Sequence, residues 1–109
     1  MKNTAQLLAE NKAWIDATFE KMDKKLRAMA KRSRAVVAYG VDENGMHRDM
    51  KEGKLHWWTN GFWGGLNAMM YEYTKAEEYL ACAKSQEKIL DGALQNHWKE
   101  LHHDVGFQW

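Results

Sequence analysis

The chain has 109 residues, a formal net charge of +1 at pH 7 and 45 % hydrophobic residues, which suits one small soluble domain. Because the positive and negative charges nearly balance, the chain has no overall electrostatic field that would favour nucleic acid or a membrane surface. No run of the sequence approaches the roughly 20 apolar residues of a membrane span. The single cysteine, Cys82, excludes an intrachain disulfide. Residues 1–10 carry no apolar stretch typical of a signal peptide. We therefore expect a cytoplasmic protein with no nucleic-acid and no membrane partner.

Residues 4–34 are predicted to form one long amphipathic helix. Asn3 or Thr4 is a suitable N-cap, and Lys31 and Arg32 suit the negative end of the helix dipole. Basic and acidic side chains alternate along this segment, which favours a solvated face over a nucleic-acid site. The apolar stripe of the helix recurs at helical spacing and comprises Leu8, Ile15, Phe19, Met22, Leu26 and Met29.

Residues 35–56 are predicted to be a long ordered loop. The apolar run Ala35–Tyr39 suits an extended chain, whereas Asp42, Asn44–Gly45 and Gly53 are turn signals. Asn-Gly is the dipeptide that most often closes a tight hairpin, so a small hairpin at Asn44–Gly45 is one possibility. Loops of this length are usually functional when they are ordered.

Two further helices are predicted, at residues 61–74 and 76–98. Gly64 and Gly65 each weaken the second helix by about 1 kcal/mol relative to alanine, which indicates close packing against it. The stripe of the second helix is Phe62, Leu66, Met69, Met70 and Tyr73, with Trp63 beside it. The stripe of the third helix is Tyr79, Leu80, Ala83, Ile89, Leu90, Ala93, Leu94 and Trp98. With no strand-rich segment and no internal repeat, the sequence predicts a single all-α domain.

The segment Trp57–Trp63 is the first candidate for chemistry. It places three tryptophans and a phenylalanine around Asn60 at the start of a helix. Sugar rings present apolar C–H faces and polar hydroxyl edges, and a site for them combines aromatic faces with a few hydrogen-bonding groups. The alternative interpretation is that these aromatic side chains fill a hydrophobic core.

The segment His102–Gly106 is the second candidate. A carboxylate beside imidazoles can transfer protons or orient a polar substrate. Two other interpretations stay open. The segment can be a helix-ending turn with solvated histidines, or a metal site built from His102, His103 and Asp104. No further ligand follows at a recognisable metal-site spacing, so the metal interpretation is the weaker one.

Four segments resemble glycoside hydrolase family 88, the unsaturated glucuronyl hydrolases. They are Trp58–Gly65, Tyr71–Thr74, Gln86–Leu90 and His103–Phe107. They occur in the order and at the approximate spacing of that family, and the resemblance covers residues 57–109. Residues before it share only the general helical character of the family.

The resemblance implies a fold and a reaction. The fold is the (α/α)6 double-ring barrel, of which residues 1–109 would form about the first three helices, an incomplete part. Enzymes of this family remove the unsaturated uronic acid that polysaccharide lyases leave at the non-reducing end of acidic oligosaccharides. An acid protonates the C4=C5 double bond, water adds at C5, and the hemiketal opens. No metal and no organic cofactor is implied.

The resemblance also implies individual roles. Asp104 corresponds to the first of two essential aspartates of the family and is the candidate catalytic residue. Because vinyl-ether hydration needs no covalent sugar–enzyme bond, we expect Asp104 to hold ring hydroxyls and to influence the second carboxyl group. His103 would line the same pocket, and Trp58, Asn60 and Phe62 would border the unsaturated ring. The second aspartate lies further along the chain in the family, beyond the position of Trp109.

The functional prediction is therefore the N-terminal part of an unsaturated glucuronyl hydrolase whose substrate is an unsaturated acidic oligosaccharide of the glycosaminoglycan type. On this prediction the 109 residues alone lack the second carboxylate. The alternative is a catalytically incomplete helical module that self-associates or binds a partner through exposed apolar helix faces. A homo-oligomer is a possible form of that module.

Overall fold

The structure, a computed structural model, describes residues 1–109 and is mostly helical. Its longer elements are α1 (Thr4–Arg32), β1 (Ala38–Val41), β2 (His47–Asp49), α2 (Gly61–Thr74) and α3 (Glu77–Asn96). Three short 3₁₀ helices lie at Trp58–Asn60, Trp98–Glu100 and His103–Phe107. The predicted helical class is confirmed at this level, with one small two-stranded sheet added to it. No helix combines the length and the apolar character needed to cross a bilayer.

Helix α1 begins at a complete capping box. The Asn3 side-chain oxygen accepts a hydrogen bond from the Gln6 backbone N–H at 2.9 Å, and the Gln6 side chain accepts one from the Asn3 N–H at 3.0 Å. Both bonds satisfy N–H groups that a helix start leaves free. The helix ends two residues earlier than predicted, where Ser33 leaves the helical conformation and its N–H donates to the Met29 carbonyl at 2.8 Å.

Only the C-terminal half of α1 packs against the rest of the protein. Phe19, Leu26 and Met29 lie against the core, and Ala30 is fully buried in it. The predicted stripe is wrong at Leu8 and Met22, which are exposed. Helical spacing places these residues on one side of the helix, but spacing alone does not indicate how far along the helix a partner extends.

Residues 35–56, predicted as a long loop with a possible hairpin, contain a hairpin whose turn is Asp42–Gly45, where the Gly45 N–H donates to the Asp42 carbonyl at 3.0 Å. Strands β1 and β2 pair antiparallel, and Gly45 adopts the positive φ of 73° that the turn requires. The Asp42 carboxylate accepts hydrogen bonds from the backbone N–H groups of Asn44 and Met46, each at 2.9 Å. A side chain that bonds its own turn in this way stabilises the turn locally.

Helices α2 and α3 pack against each other along their lengths. The connection between them contains Lys75, a left-handed residue with φ 54°, whose N–H donates to the Tyr71 carbonyl at 2.7 Å. A connection this short makes the two helices antiparallel neighbours. Helix α3 ends at Asn96, two residues before the predicted end, and Trp98 opens a separate short turn.

The faces that α2 and α3 bury match the predicted stripes only in part, at Met70, Tyr79, Leu90 and Ala93. On the two helices the buried residues are Trp63, Asn67, Met70, Tyr79, Cys82, Gln86, Leu90 and Ala93. The predicted core positions Phe62, Met69, Tyr73, Leu94 and Trp98 are exposed. A prediction based on apolar residues alone misplaces the buried face of each helix, because the buried faces also contain the side-chain amides of Asn67 and Gln86.

The core forms two clusters. One lies between the three helices and consists of Ala30, Trp63, Met70, Tyr79 and Cys82. The other joins the 35–56 segment to α3 and consists of Val37, Met50, Leu55, Leu90 and Ala93. The second cluster explains why the long loop is ordered, since its apolar side chains are removed from water against α3.

A polar contact joins α1 to α3 at the edge of the first cluster. The Tyr79 hydroxyl lies 2.8 Å from Asp23 Oδ1 and 3.0 Å from the Asp23 carbonyl oxygen. Arg27 binds the same carboxylate with two contacts of 2.8 and 3.0 Å. Burial, together with the Asp23 carboxylate, raises the pKa of Tyr79 from 10.0 to about 12. Burial likewise raises the pKa of the Cys82 thiol from 9.0 to about 11.

These two shifts predict that the protein loses stability in alkali. Both groups have a higher pKa when folded, so their contribution is fully present below pH 9 and is lost as pH rises toward 12. Each pKa rises by about 2 on folding, so the free energy of unfolding should fall by roughly 3 kcal/mol for each group over that range. Denaturant titrations across the pH range measure the slope. Tyr79→Phe should lower stability by about 1 kcal/mol at neutral pH and remove the Tyr79 contribution to the slope, which leaves that of Cys82 between pH 9 and 11. An unchanged slope would contradict the prediction.

Candidate functional site

The two sequence clusters lie side by side in the structure. The rings of Trp58, Phe62 and Phe107 meet edge to face, with centroid distances of 5.8 Å (Trp58–Phe62), 5.9 Å (Trp58–Phe107) and 6.1 Å (Phe62–Phe107). These are the distances at which aromatic pairs attract each other. We call these three residues the aromatic triad. Phe62 and Phe107 are both about half exposed, so the triad presents an aromatic wall to solvent.

The start of α2 touches the backbone of the C-terminal turn directly. A Cβ atom on Gly61 would lie 2.3 Å from the Phe107 carbonyl oxygen and 2.5 Å from that of Gln108. The Gln108 side chain, itself buried, donates a hydrogen bond to the His56 carbonyl at 2.9 Å. The absence of a side chain at Gly61 therefore allows residues 103–108 to lie against the Trp58–Asn60 turn.

Asp104 lies on the same side of its turn as Phe107. Residues three apart in a 3₁₀ helix are eclipsed, and both belong to the His103–Phe107 helix. The Asp104 side chain is 30 % exposed, with its carboxylate oxygens 3.6 Å from His102 Nδ1 and 3.5 Å from His103 Nε2. The structure thus places the candidate carboxylate, partly accessible, on the same short turn that brings Phe107 to the aromatic triad.

Asn60 points into the protein. It is 1 % exposed, and its side-chain N–H₂ donates to the carbonyl oxygens of Lys54 and Leu55, each at 2.9 Å. The side chain therefore fixes the end of the long loop beneath the aromatic wall. A substrate contact through Asn60, as the resemblance implies, stays a prediction that would require this amide to leave its present partners.

The two histidines beside Asp104 differ in their contacts. His102 Nδ1 accepts a hydrogen bond from the Asp104 backbone N–H at 3.3 Å. The His103 side chain is 90 % exposed, so it is free to approach a ligand at the rim. Ligating atoms of His102, His103 and Asp104 lie within 4.8 Å of one another, but the backbone bond already occupies the His102 nitrogen that faces the carboxylate. The arrangement suits hydrogen bonding to a polar ligand, and its three ligating groups are one fewer than a closed structural zinc site uses.

An open groove continues from the aromatic triad along α2 and α3. Its volume is about 820 Å³, and its walls are mostly apolar. Residues at its two ends and along its length include Phe62, Leu66, Met69, Leu80, Ala83, Phe107 and Trp109. Leu66, Met69, Leu80 and Ala83 were predicted to lie in core stripes, whereas Phe107 was predicted only as the end of the His103–Phe107 segment and Trp109 had no predicted role. The available signal was the Gly64–Gly65 pair, which leaves the α2 surface flat at this position.

The surface around the triad therefore offers three kinds of contact to a ligand. The rings offer apolar faces, Asp104 offers an acceptor for hydroxyl groups, and His103 offers a further polar contact. This combination suits a polar ring that has one apolar face.

In comparisons with known proteins, no family model, no curated protein and no solved structure matches the chain.

Proposed function

We propose that the chain is the N-terminal part of a glycoside hydrolase that removes unsaturated uronic acid from the non-reducing end of lyase-generated oligosaccharides. The observation that supports this proposal is the contact between the Trp58–Phe62 segment and the turn that carries Asp104. These two segments are more than 40 residues apart in sequence. Both belong to the motifs that resemble the unsaturated glucuronyl hydrolases.

The proposed chemistry is hydration of a vinyl ether. The apolar face of the unsaturated ring stacks on the aromatic triad, and the Asp104 carboxylate accepts hydrogen bonds from ring hydroxyls. An acid protonates the C4=C5 double bond and water adds at C5, after which the hemiketal opens and releases the next sugar. In the family that the chain resembles, that acid is a second aspartate, which residues 1–109 do not supply. The reaction requires no cofactor, and we place it in the cytoplasm.

A ligand-binding experiment tests this proposal. We expect an unsaturated chondroitin disaccharide to bind, and Asp104→Asn and Trp58→Ala each to weaken the dissociation constant by about 10-fold, the equivalent of about 1.4 kcal/mol. Calorimetry measures the dissociation constant of the disaccharide for the unmodified chain and for each variant. Tyr73→Ala is the matched control, because Tyr73 is exposed and lies about 17 Å along α2 from Phe62. Wild-type affinity in both site variants would contradict the proposal, as would absence of binding by the wild-type chain.

A second candidate function is a helical module that acts by association. The observation that favours it is the number of large apolar side chains left exposed on all three helices, among them Leu8, Trp14, Met69 and Leu94. Contiguous exposed apolar surface on a small protein usually marks a binding face.

A further inference from the structure

The N-terminal half of α1 presents an apolar stripe that no other part of the chain covers. Leu7, Leu8 and Trp14 are 47 %, 55 % and 69 % exposed. Leu7 and Trp14 are seven residues apart, as are Leu8 and Ile15, so the four side chains share one side of the helix. Contacts with the core begin only near Phe19. This half of α1 therefore extends beyond the body of the protein with one apolar side.

The charged side chains of the same half-helix are already paired with each other. Lys2 contacts Glu10 at 2.6 Å, and Lys12 contacts Asp16 at 2.5 Å. Burying the stripe therefore leaves no unpaired charge in an apolar environment, which is the usual cost of burying a charged helix. Such a helix suits an apolar groove.

The groove between α2 and α3 is the complementary surface. Leu66 and Leu80 line it, and Met69, 59 % exposed, stands at its edge. Helix α2 has 14 residues, a length of about 21 Å, and residues 4–18 of α1 extend for about 22 Å. The stripe and the groove thus match in length and in apolar character. Lys84 and Glu87 at the groove supply one charge of each sign.

We propose that the protein forms a dimer in which the N-terminal half of α1 from one copy occupies the α2–α3 groove of the other. A twofold dimer makes this contact twice, because each copy contributes one helix and one groove. The amphipathic helix in an apolar groove is a common mode of recognition between proteins. The groove shares Phe62 and Phe107 with the proposed sugar site, but the dimer rests on the apolar stripe and the groove and does not require the sugar chemistry.

Sedimentation analysis over a wide concentration range tests the dimer. We expect a dimer for the unmodified chain and an increase of about 10-fold or more in the dissociation constant for Trp14→Glu and for Met69→Glu, because each places a charge in the contact. Both residues are exposed, so circular dichroism should show an intact fold. Met46→Glu is the matched control, since Met46 is 58 % exposed but lies on the hairpin; it should leave the dimer unchanged.

A mixture of the two variants distinguishes the proposed helix-in-groove contact from nonspecific association. The Trp14→Glu copy keeps an intact groove and the Met69→Glu copy keeps an intact helix, so the mixture restores one of the two contacts. The mixed sample should therefore associate more strongly than either variant alone. A monomeric wild-type chain would overturn the proposal. So would an oligomer that tolerates both substitutions, a control that weakens association equally, or a mixture no stronger than its components.

Discussion

Replacing Gly61 with alanine should lower the free energy of unfolding by about 3 kcal/mol, near the upper end of what an added methyl group costs in a packed site. The new Cβ would lie 2.3 Å from the Phe107 carbonyl oxygen and 2.6 Å from the Gln108 Cα. Both atoms belong to backbone, so no side-chain rotation relieves the clash. The C-terminal turn must move away from α2, and Asp104 and Phe107 move with it.

Gly65→Ala is the matched control on the same helix. A Cβ at Gly65 meets no atom within 4 Å, so alanine there should raise stability by about 0.5–1 kcal/mol through its better helix propensity. Denaturant unfolding of both variants gives the comparison. If the two substitutions change stability by the same amount, the contact between α2 and the C-terminal turn does not exist in solution.

Replacing Gln86 with alanine should destabilise the protein by about 2–3 kcal/mol. The fully buried Gln86 amide donates hydrogen bonds from α3 to the carbonyl oxygens of Arg34 at 2.8 Å and Val36 at 3.0 Å. Alanine leaves both acceptors without this partner, and an unsatisfied buried polar group costs more than an average hydrogen bond contributes. The segment after α1 would lose its main polar attachment to α3.

Gln95→Ala is the control for this substitution, because Gln95 lies on α3 but is exposed. Its replacement should change stability by less than about 0.5 kcal/mol. Hydrogen exchange adds a local measurement: Gln86→Ala should speed exchange of the Val37 amide, which donates to Asp49 Oδ1 at 3.1 Å, more than that of amides within α2. Equal stability of the two glutamine variants would refute the anchoring role of Gln86.

The positions of the helices follow from the sequence because their signals are local. The Asn3 cap, the Asn44–Gly45 turn and the absence of proline each act within a few residues. The faces of the helices do not follow in the same way, because burial depends on partners that are distant in the chain. Leu8 belongs to a regular stripe and is exposed, whereas Gln86 interrupts a stripe and is buried because two backbone carbonyls lie opposite it.

The same distinction between local signals and contacts with distant residues applies to the candidate site. Its aromatic and acidic residues stand out in the sequence because of their chemical type, and the structure places Trp58 against Phe107, three positions after Asp104. The inward orientation of Asn60 could not be predicted, since it depends on the carbonyl groups of Lys54 and Leu55. The contribution of Gln108 was missed for the same reason, as its partner His56 is 52 residues away.

An NMR titration with an unsaturated chondroitin disaccharide tests most directly whether Trp58 and Asp104 form a single sugar-binding surface. We expect the resonances of the Trp58 indole N–H and of the backbone amides of Asp104 and Gly106 to shift together and to give the same dissociation constant. The resonance of the Tyr73 amide, at the far end of α2, should not shift. Shifts at Trp58 with none at Asp104, or two different dissociation constants, would contradict the claim of a shared site.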